Sequence, residues 1–176
     1  MNRISNALAN RLRIMYARIC GARIGRRCGI GRRLDATRYK SIQVGDDSTL
    51  YKDITIAASG SGRFFMGRHS HVAPHGYFLV HEKTVRIGDD VAIGPFCAFF
   101  CSSNSHSAEE KLFRKNYVND DITIGNNVFI GAHCVVQPGT VIEDHVILAA
   151  NSVARGRLES GHIYGGSPAV KLKTLA

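Results

Sequence analysis

An aliphatic residue followed by Gly or Ala returns in steps of six through most of the chain: Ile24-Gly25, Ile30-Gly31, Val44-Gly45, Met66-Gly67, Val72-Ala73, Ile87-Gly88, Ile93-Gly94, Ile124-Gly125, Ile130-Gly131 and Leu148-Ala149. Four residues after the aliphatic position stands something compact or β-branched: Cys28, Ser48, Ser70, Val91, Cys97, Val128, Cys134, Thr140, Val146 and Ser152. A period of six is neither helical nor the two-residue alternation of a half-buried strand. It suits a solenoid whose coils hold three short strands and take about 18 residues each, so the pattern predicts a parallel β-helix. In a narrow triangular interior the aliphatic residue fills the core from the middle of a face, and the small one fits beside a corner. Gly or Ala next to the aliphatic lets backbone approach closely at the turn. A β-sandwich would instead require strict alternation and hairpin dipeptides such as Asn-Gly between the repeats, and these are absent.

Breaks in the register point to function. From Val44 to Met66 the coil is four residues too long, around Gly60-Ser61-Gly62, and from Met66 to Ile87 it is three too long, around Glu82-Lys83-Thr84. After Phe99 a hexad is due at position 105, yet the pattern resumes only at Ile124, so nineteen residues leave the solenoid. A polar excursion of that length on a regular scaffold usually carries function. The expected organisation is a helix over 1–20, a β-helix over 21–158 with a loop at 105–123, and a tail over 159–176.

Charge changes the picture at one end only. The 176 residues carry a formal +9, but residues 1–40 hold eleven Lys and Arg against the single Asp35, while the remainder is close to neutral. Ile4, Leu8, Leu12, Met15 and Ile19 fall at helical spacing, with Arg3, Arg11, Arg13 and Arg18 on other faces. Such a helix either caps the open end of the solenoid, burying its apolar stripe there, or touches an anionic membrane surface or a pyrophosphate-bearing lipid acceptor. Nothing resembles a nucleic-acid-binding motif. No apolar stretch approaches the roughly 20 residues of a membrane span and no signal-peptide layout is seen. Three of the five cysteines take the small interior position, as expected of core residues in a reducing compartment, and neither a disulfide set nor a zinc spacing is visible. The expected location is the cytoplasm, peripheral to the inner face of the membrane if the helix engages it.

The register also sorts the histidines. His69, His75, His81, His133 and His145 each follow a leading aliphatic by three, an outward corner position, whereas His106 stands where the excursion departs. There an imidazole could act as general base and still be reached by a substrate.

The run from Ile122 to Gly139, followed by Tyr164-Gly-Gly-Ser-Pro-Ala169 and Lys171, closely resembles the hexapeptide-repeat acyltransferases of the maltose, galactoside and polysaccharide O-acetyltransferase group. The segment from Ile19 to Arg27 is similar to the opening of the polysaccharide-biosynthesis members, and the likeness extends over residues 19–173. It implies a left-handed parallel β-helix, a homotrimer with active sites between subunits, acetyl-CoA as donor and no metal. It also implies His106 as the base that takes a proton from an acceptor hydroxyl attacking the thioester and returns one to the departing thiolate. Ser105 or Ser107 as an acylated nucleophile is the minor alternative.

By the same resemblance Ala132 and Ala150 line the pantetheine arm, Arg155 and Arg157 stand near its phosphates, and Pro168, Lys171 and Lys173 flank the nucleotide. His75, Glu82, Asn104 and Arg114 are the expected acceptor contacts. The chain departs from the group at Ala154-Arg-Gly-Arg-Leu-Glu-Ser-Gly161, where others carry Thr-Lys-Asp. It also lacks the Asn that galactoside and maltose members place before the catalytic His. Together with the basic N-terminus, this favours O-acetylation of a sugar in cell-surface glycan synthesis. The alternatives are N-acetylation of an amino sugar, a β-helix scaffold without activity, and a carbonic-anhydrase-like zinc protein.

Overall fold

A computed structural model describes residues 3–106 and 112–175, with the backbone alone for residues 3–6. After the helix Arg3–Ile19 the chain winds through about six coils of three short strands, and each strand pairs in parallel with its counterpart one coil later. The first face runs from Arg23–Ile24 to Arg157–Leu158, the second from Gly29–Ile30 to His162–Gly165, and the third from Leu34–Ala36 to Val153–Ala154. The solenoid therefore reaches Gly165, not residue 158 as expected. Within the expected tail, Val170–Thr174 folds back antiparallel on His162–Gly165.

The six-residue pattern maps onto this core. Ile24, Ile30, Val44, Met66, Val72, Ile87, Ile93, Ile124, Ile130 and Leu148 are all buried, as are Cys28, Cys97 and Cys134. Buried Ser48 and Ser70 do more than fill space. Ser48 Oγ donates to the Gly67 carbonyl (2.8 Å) and accepts from Ser70 N (3.0 Å), and Ser70 Oγ donates to the Gly88 carbonyl (3.0 Å) and accepts from Val91 N (3.0 Å). Their hydroxyls thus join successive coils where the chain turns, and buried polar groups stay paired.

At the repeat positions glycine is needed for proximity rather than for dihedral freedom. A Cβ on Gly31 would lie 2.4 Å from Lys52 N, and one on Gly88 would lie 2.5 Å from the Gly125 carbonyl oxygen. Left-handed backbone occurs instead two residues farther on, in side-chain-bearing residues. At the first corner these are Arg27, Asp47, His69, Asp90, Asn127 and His145, and at the second Arg33, Asp53, His75, Phe96, His133 and Asn151, with φ between 51° and 66°. Non-glycine residues rarely occupy this region, and Asn, Asp and His do so most readily. The corner histidines of the sequence pattern are therefore chosen in part by backbone geometry.

Each corner stacks its side chains in a column. Along the first, opposite or neutral partners follow one another: Arg27 pairs with Asp47 (2.5 Å), His69 lies 3.6 Å from both Asp47 and Asp90, and Asn127 meets His145 (2.8 Å). Beside them Asp46 Oδ1 accepts from Arg26 N (2.8 Å) and Asp89 Oδ1 from Arg68 N (2.7 Å). On the second corner Phe96 stacks between His75 and His133, with ring centroids 4.6 and 4.9 Å apart, close to the roughly 4.8 Å separation of hydrogen-bonded strands.

The N-terminal helix departs from expectation. It does cap the first coil, but with its polar face. Ile30 N donates to Asn10 Oδ1 (2.7 Å), Asn10 Nδ2 to the Cys28 carbonyl (3.1 Å), and Arg13 Nε to the Ile30 carbonyl (2.6 Å). Arg18 Nη2 donates to the carbonyls of Ile24 (2.7 Å) and Gly25 (2.9 Å), and among the described side chains of the helix Ala17 is fully buried and Ile14 partly, packed against the core. The reason is that the end of a solenoid is a set of strand edges, whose unpaired N–H and C=O groups require polar partners. Leu8, Leu12, Met15 and Ile19, which the first of the two expectations buries there, are exposed. Ile4 lies outside the described side chains.

Asn10→Ala should leave Ile30 N without its partner, at a cost of about 1–2 kcal/mol, visible by calorimetry as roughly 2–8 °C of Tm. Acid should loosen the first corner. Asp46 and Asp89 are held below the ordinary carboxylate range chiefly by the N–H groups of Arg26 and Arg68, and Asp47 chiefly by the Arg27 guanidinium. Their folded values are depressed, so the stability they contribute is present above the unfolded carboxylate range, near pH 4, and is lost as pH falls through the folded values. Tm should decline with pH below about 5, and less steeply in Asp89→Asn, which keeps the acceptor without the titration.

Candidate functional site

All the register breaks fall on one corner, the third, between the third and first faces. The extra residues around Gly60-Ser61-Gly62 and Glu82-Lys83 lie there, and so does the long excursion. The excursion leaves earlier and returns earlier than the expected 105–123. Ser102–Asn104 and Tyr117–Asn119 form an antiparallel two-stranded arm, and Ile122 is already back in the solenoid, paired with Val85. The arm is anchored at its base by Asp120 N donating to the Cys101 carbonyl (2.9 Å) and Thr84 N donating to Asp121 Oδ1 (2.8 Å). Farther out, Ser105 N donates to the Asn116 carbonyl (2.9 Å) and Asn104 Nδ2 to the Phe113 carbonyl (2.9 Å).

His106 thus follows the outer end of the arm's first strand, exposed, rather than standing at the point where the chain leaves the coil. Arg114 lies in the short helical turn Phe113–Lys115 and is exposed, while Asn104 spends its amide holding that turn. Beneath the arm opens a cleft of about 520 Å3 lined by His81, Glu82, Lys83, Ser102, Tyr117 and Asn119. Of these six, Glu82 is one of the acceptor contacts expected from the sequence; the other five are not among them. His81 could have been separated from the remaining corner histidines by counting hexads in threes, since it alone among them falls on the corner that takes the insertions. Cys101 is buried at the base of the arm with its thiol pushed up to about 12, chiefly by desolvation, so it stays protonated and is no nucleophile.

The expected donor residues lie elsewhere on the same chain. Ala132 and Ala150 are neighbours on the second corner, beside His133 and Asn151, and His75 belongs to that corner too, stacked on Phe96. Arg157, on the first face, is paired with Glu143, and Lys171 with Glu159 (2.6 Å). Arg155 at the third corner and Lys173 on the terminal strand pair with no acid among the described residues. Pro168 follows a cis peptide bond in the exposed turn before that strand. One chain therefore gathers Glu82 and the arm at the third corner but leaves His75 and the alanines expected beside the donor at the second. Among the described residues no three His, Cys, Asp or Glu form a group that could hold a metal ion, and no helix is long and apolar enough to cross a membrane.

Residues 121–156 match the family described as bacterial transferase hexapeptide (six repeats). The chain is 34% identical over 112 residues to the galactoside O-acetyltransferase of Escherichia coli K12, covering 60% of this chain and 54% of that enzyme, so it spans about half of that relative's length. It is 27% identical over 143 residues to the putative lipopolysaccharide biosynthesis O-acetyl transferase WbbJ of the same organism, covering 76% and 71% of the two chains. The fold is similar to that of AntD, an N-acyltransferase from Bacillus cereus solved with dTDP and 3-hydroxybutyryl-CoA, with a TM-score of 0.80, 19% identity and coverage of 93% and 88%.

Gly62→Ala is expected to damage this site without touching a polar group. Its Cβ would fall 1.9 Å from the His81 carbonyl oxygen, forcing the floor of the cleft to move. A loss of about 1–3 kcal/mol is expected by chemical denaturation.

Proposed function

We propose that this chain, whose residues 121–156 match the bacterial hexapeptide transferases, is an acetyltransferase that moves an acetyl group from acetyl-CoA to a sugar hydroxyl during synthesis of a cell-surface glycan. The observation that carries the reading is the arm at the third corner: a solenoid whose coils otherwise follow one another strand on strand opens there into a two-stranded excursion over a polar cleft, with His106 just beyond the arm's first strand.

In this mechanism His106 accepts the proton of the acceptor hydroxyl as its oxygen attacks the thioester carbonyl. The tetrahedral intermediate collapses with loss of the CoA thiolate, and the imidazolium returns the proton to that sulfur. Transfer is direct, with no acylated serine. Glu82, Tyr117 and Asn119 offer the acceptor hydrogen-bond partners in the cleft, and Asn104 keeps the arm in shape. Arg114 extends the acceptor contacts along the arm.

The donor would lie on the second corner, where small Ala132 and Ala150 leave room for the pantetheine arm. Among the described residues Arg155 and Lys173 have no acid to release, while Arg157 and Lys171 would exchange Glu143 and Glu159 for phosphate oxygens; such exposed pairs are weak. Pro168 shapes the turn beside the nucleotide. Because donor strip and arm occupy different corners, a complete site needs the second corner of one copy beside the third corner of another, which supports a homotrimer with sites between subunits. His75 would then reach the acceptor from the neighbouring copy. The acceptor is placed in the cytoplasm, where activated sugars are made, free or lipid-linked. An amino-sugar acceptor is the second reading, favoured by the likeness to an N-acyltransferase.

His106→Ala should lower kcat/KM for acetyl transfer by about 10²–10⁴, followed by thiol release from acetyl-CoA, while CoA binding by calorimetry stays unchanged. Unaltered turnover would remove His106 as the base. Thiol release with amino sugars and none with hydroxyl acceptors would move the assignment to the second reading.

A further inference from the structure

The N-terminal helix turns outward the face that its sequence makes apolar. Leu8, Leu12, Met15, Tyr16 and Ile19 are 59%, 52%, 54%, 59% and 76% exposed, and at 100° per residue they fall within an arc of about 100°. The opposite face, with Asn10, Arg13 and Ala17, is committed to the first coil. Arg11 and Arg18 border the apolar arc on one side. A groove of about 580 Å3 between helix and first corner is lined by Arg11, Met15, Arg18, Ile19, Arg26 and Arg27, among others.

The charge around this face is of one sign. The helix Arg3–Ile19 contains no Asp or Glu, and residues 1–40 hold eleven basic side chains against Asp35. Arg26 and Arg27 are shared with Asp46 and Asp47, but Arg18 bonds only to neutral carbonyls, and Arg11 pairs with no acid among the described residues. A second copy of the same helix laid against the face would bring these cations together and be repelled. A surface of phosphodiester headgroups over acyl chains complements both parts at once, because amphipathic helices of this kind lie in the interface with apolar side chains below the phosphates.

We propose that this end of the solenoid docks on an anionic lipid bilayer. Leu8, Leu12, Met15 and Ile19 enter the boundary between headgroups and acyl chains, Tyr16 sits at the interface, and Arg11 and Arg18 meet the lipid phosphates. Tyr16 keeps its edge-on contact with Tyr39 while the rest of this face is turned away from the coil, so docking requires no rearrangement of the coils.

Cosedimentation of the full chain with vesicles tests this without any acyl donor, so that its outcome is separate from that of the acyl-transfer reading. Strong binding to phosphatidylcholine vesicles containing phosphatidylglycerol is expected, with far weaker binding to phosphatidylcholine alone and a decline as salt rises. Arg11→Ser should weaken partitioning about fivefold, and the double variant Leu8→Glu, Ile19→Glu by about 100-fold or more, both with unchanged Tm because these side chains do not pack on the coil. Equal binding by the double variant and the parent chain would overturn the proposal, as would absence of binding to the anionic vesicles. A parent chain that ignores vesicles while the double variant loses molecular mass by light scattering would assign the face to another copy instead.

Discussion

Hydrogen bonding of every coil's backbone to the next is the constraint from which the rest of this structure follows. Bonds such as Gly25 N to the Val44 carbonyl and Gly125 N to the Ile142 carbonyl, both 2.8 Å, fix the rise from coil to coil at one strand separation. Nothing larger than a hydrogen then fits where backbone crosses backbone at Gly31 or Gly88. The same rise brings corner side chains into columns at contact distance, so each must tolerate the one above it. Alternation of Arg, Asp and His along the first corner, and of rings along the second, answers that demand. Like charges stacked at this spacing would repel.

Two corners obey the six-residue count and the third absorbs every departure from it. That division keeps the insertions off the repeat: apart from one register shift between Ala57 and Ala58 beside the same corner, inter-coil pairing on the faces is kept, and it resumes in register at Phe64, Val85 and Ile122. The arm and its cleft are consequently rigid at the base, held by Cys101, Thr84 and Asp121, while their outer part is shaped by its own bonds. A variable loop on a fixed frame is how one fold serves many acceptors.

The period alone carried the fold, because a core position repeated every six residues has no second interpretation once hairpin signals are missing. It carried the interior cysteines and the outward histidines for the same reason. It did not carry the boundaries of the arm: Ser102–Asn104 reads as a continuation of the coil, and only the antiparallel partner at Tyr117–Asn119 reveals that the chain has already left. The grouping of His81, Lys83, Ser102, Tyr117 and Asn119 around one cleft is not legible in the sequence, because a cleft is made by residues distant in sequence and no spacing joins positions 82 and 117. The helix failed for a different reason. Helical periodicity identifies an apolar stripe but not what it will face, and here the surface to be covered was a row of polar strand edges that Asn10 and Arg13 match and leucine does not.

The two coverings at the ends of the stack have a consequence of their own. A bare first coil and a bare last coil would be complementary templates, and molecules exposing both could add head to tail into fibres whose joints resemble the interior of the solenoid. Asn10, Arg13 and Arg18 occupy the acceptors and donors of the opening edge, and Val170–Thr174 occupies those of the second face at the closing edge by pairing in the antiparallel sense, which no further parallel coil can continue. Addition of a further coil is thus opposed on these strands, by direction at one end and by side-chain amide and guanidinium groups at the other. A repeat that could in principle propagate without limit is kept a discrete particle by two short segments that do not belong to the repeat.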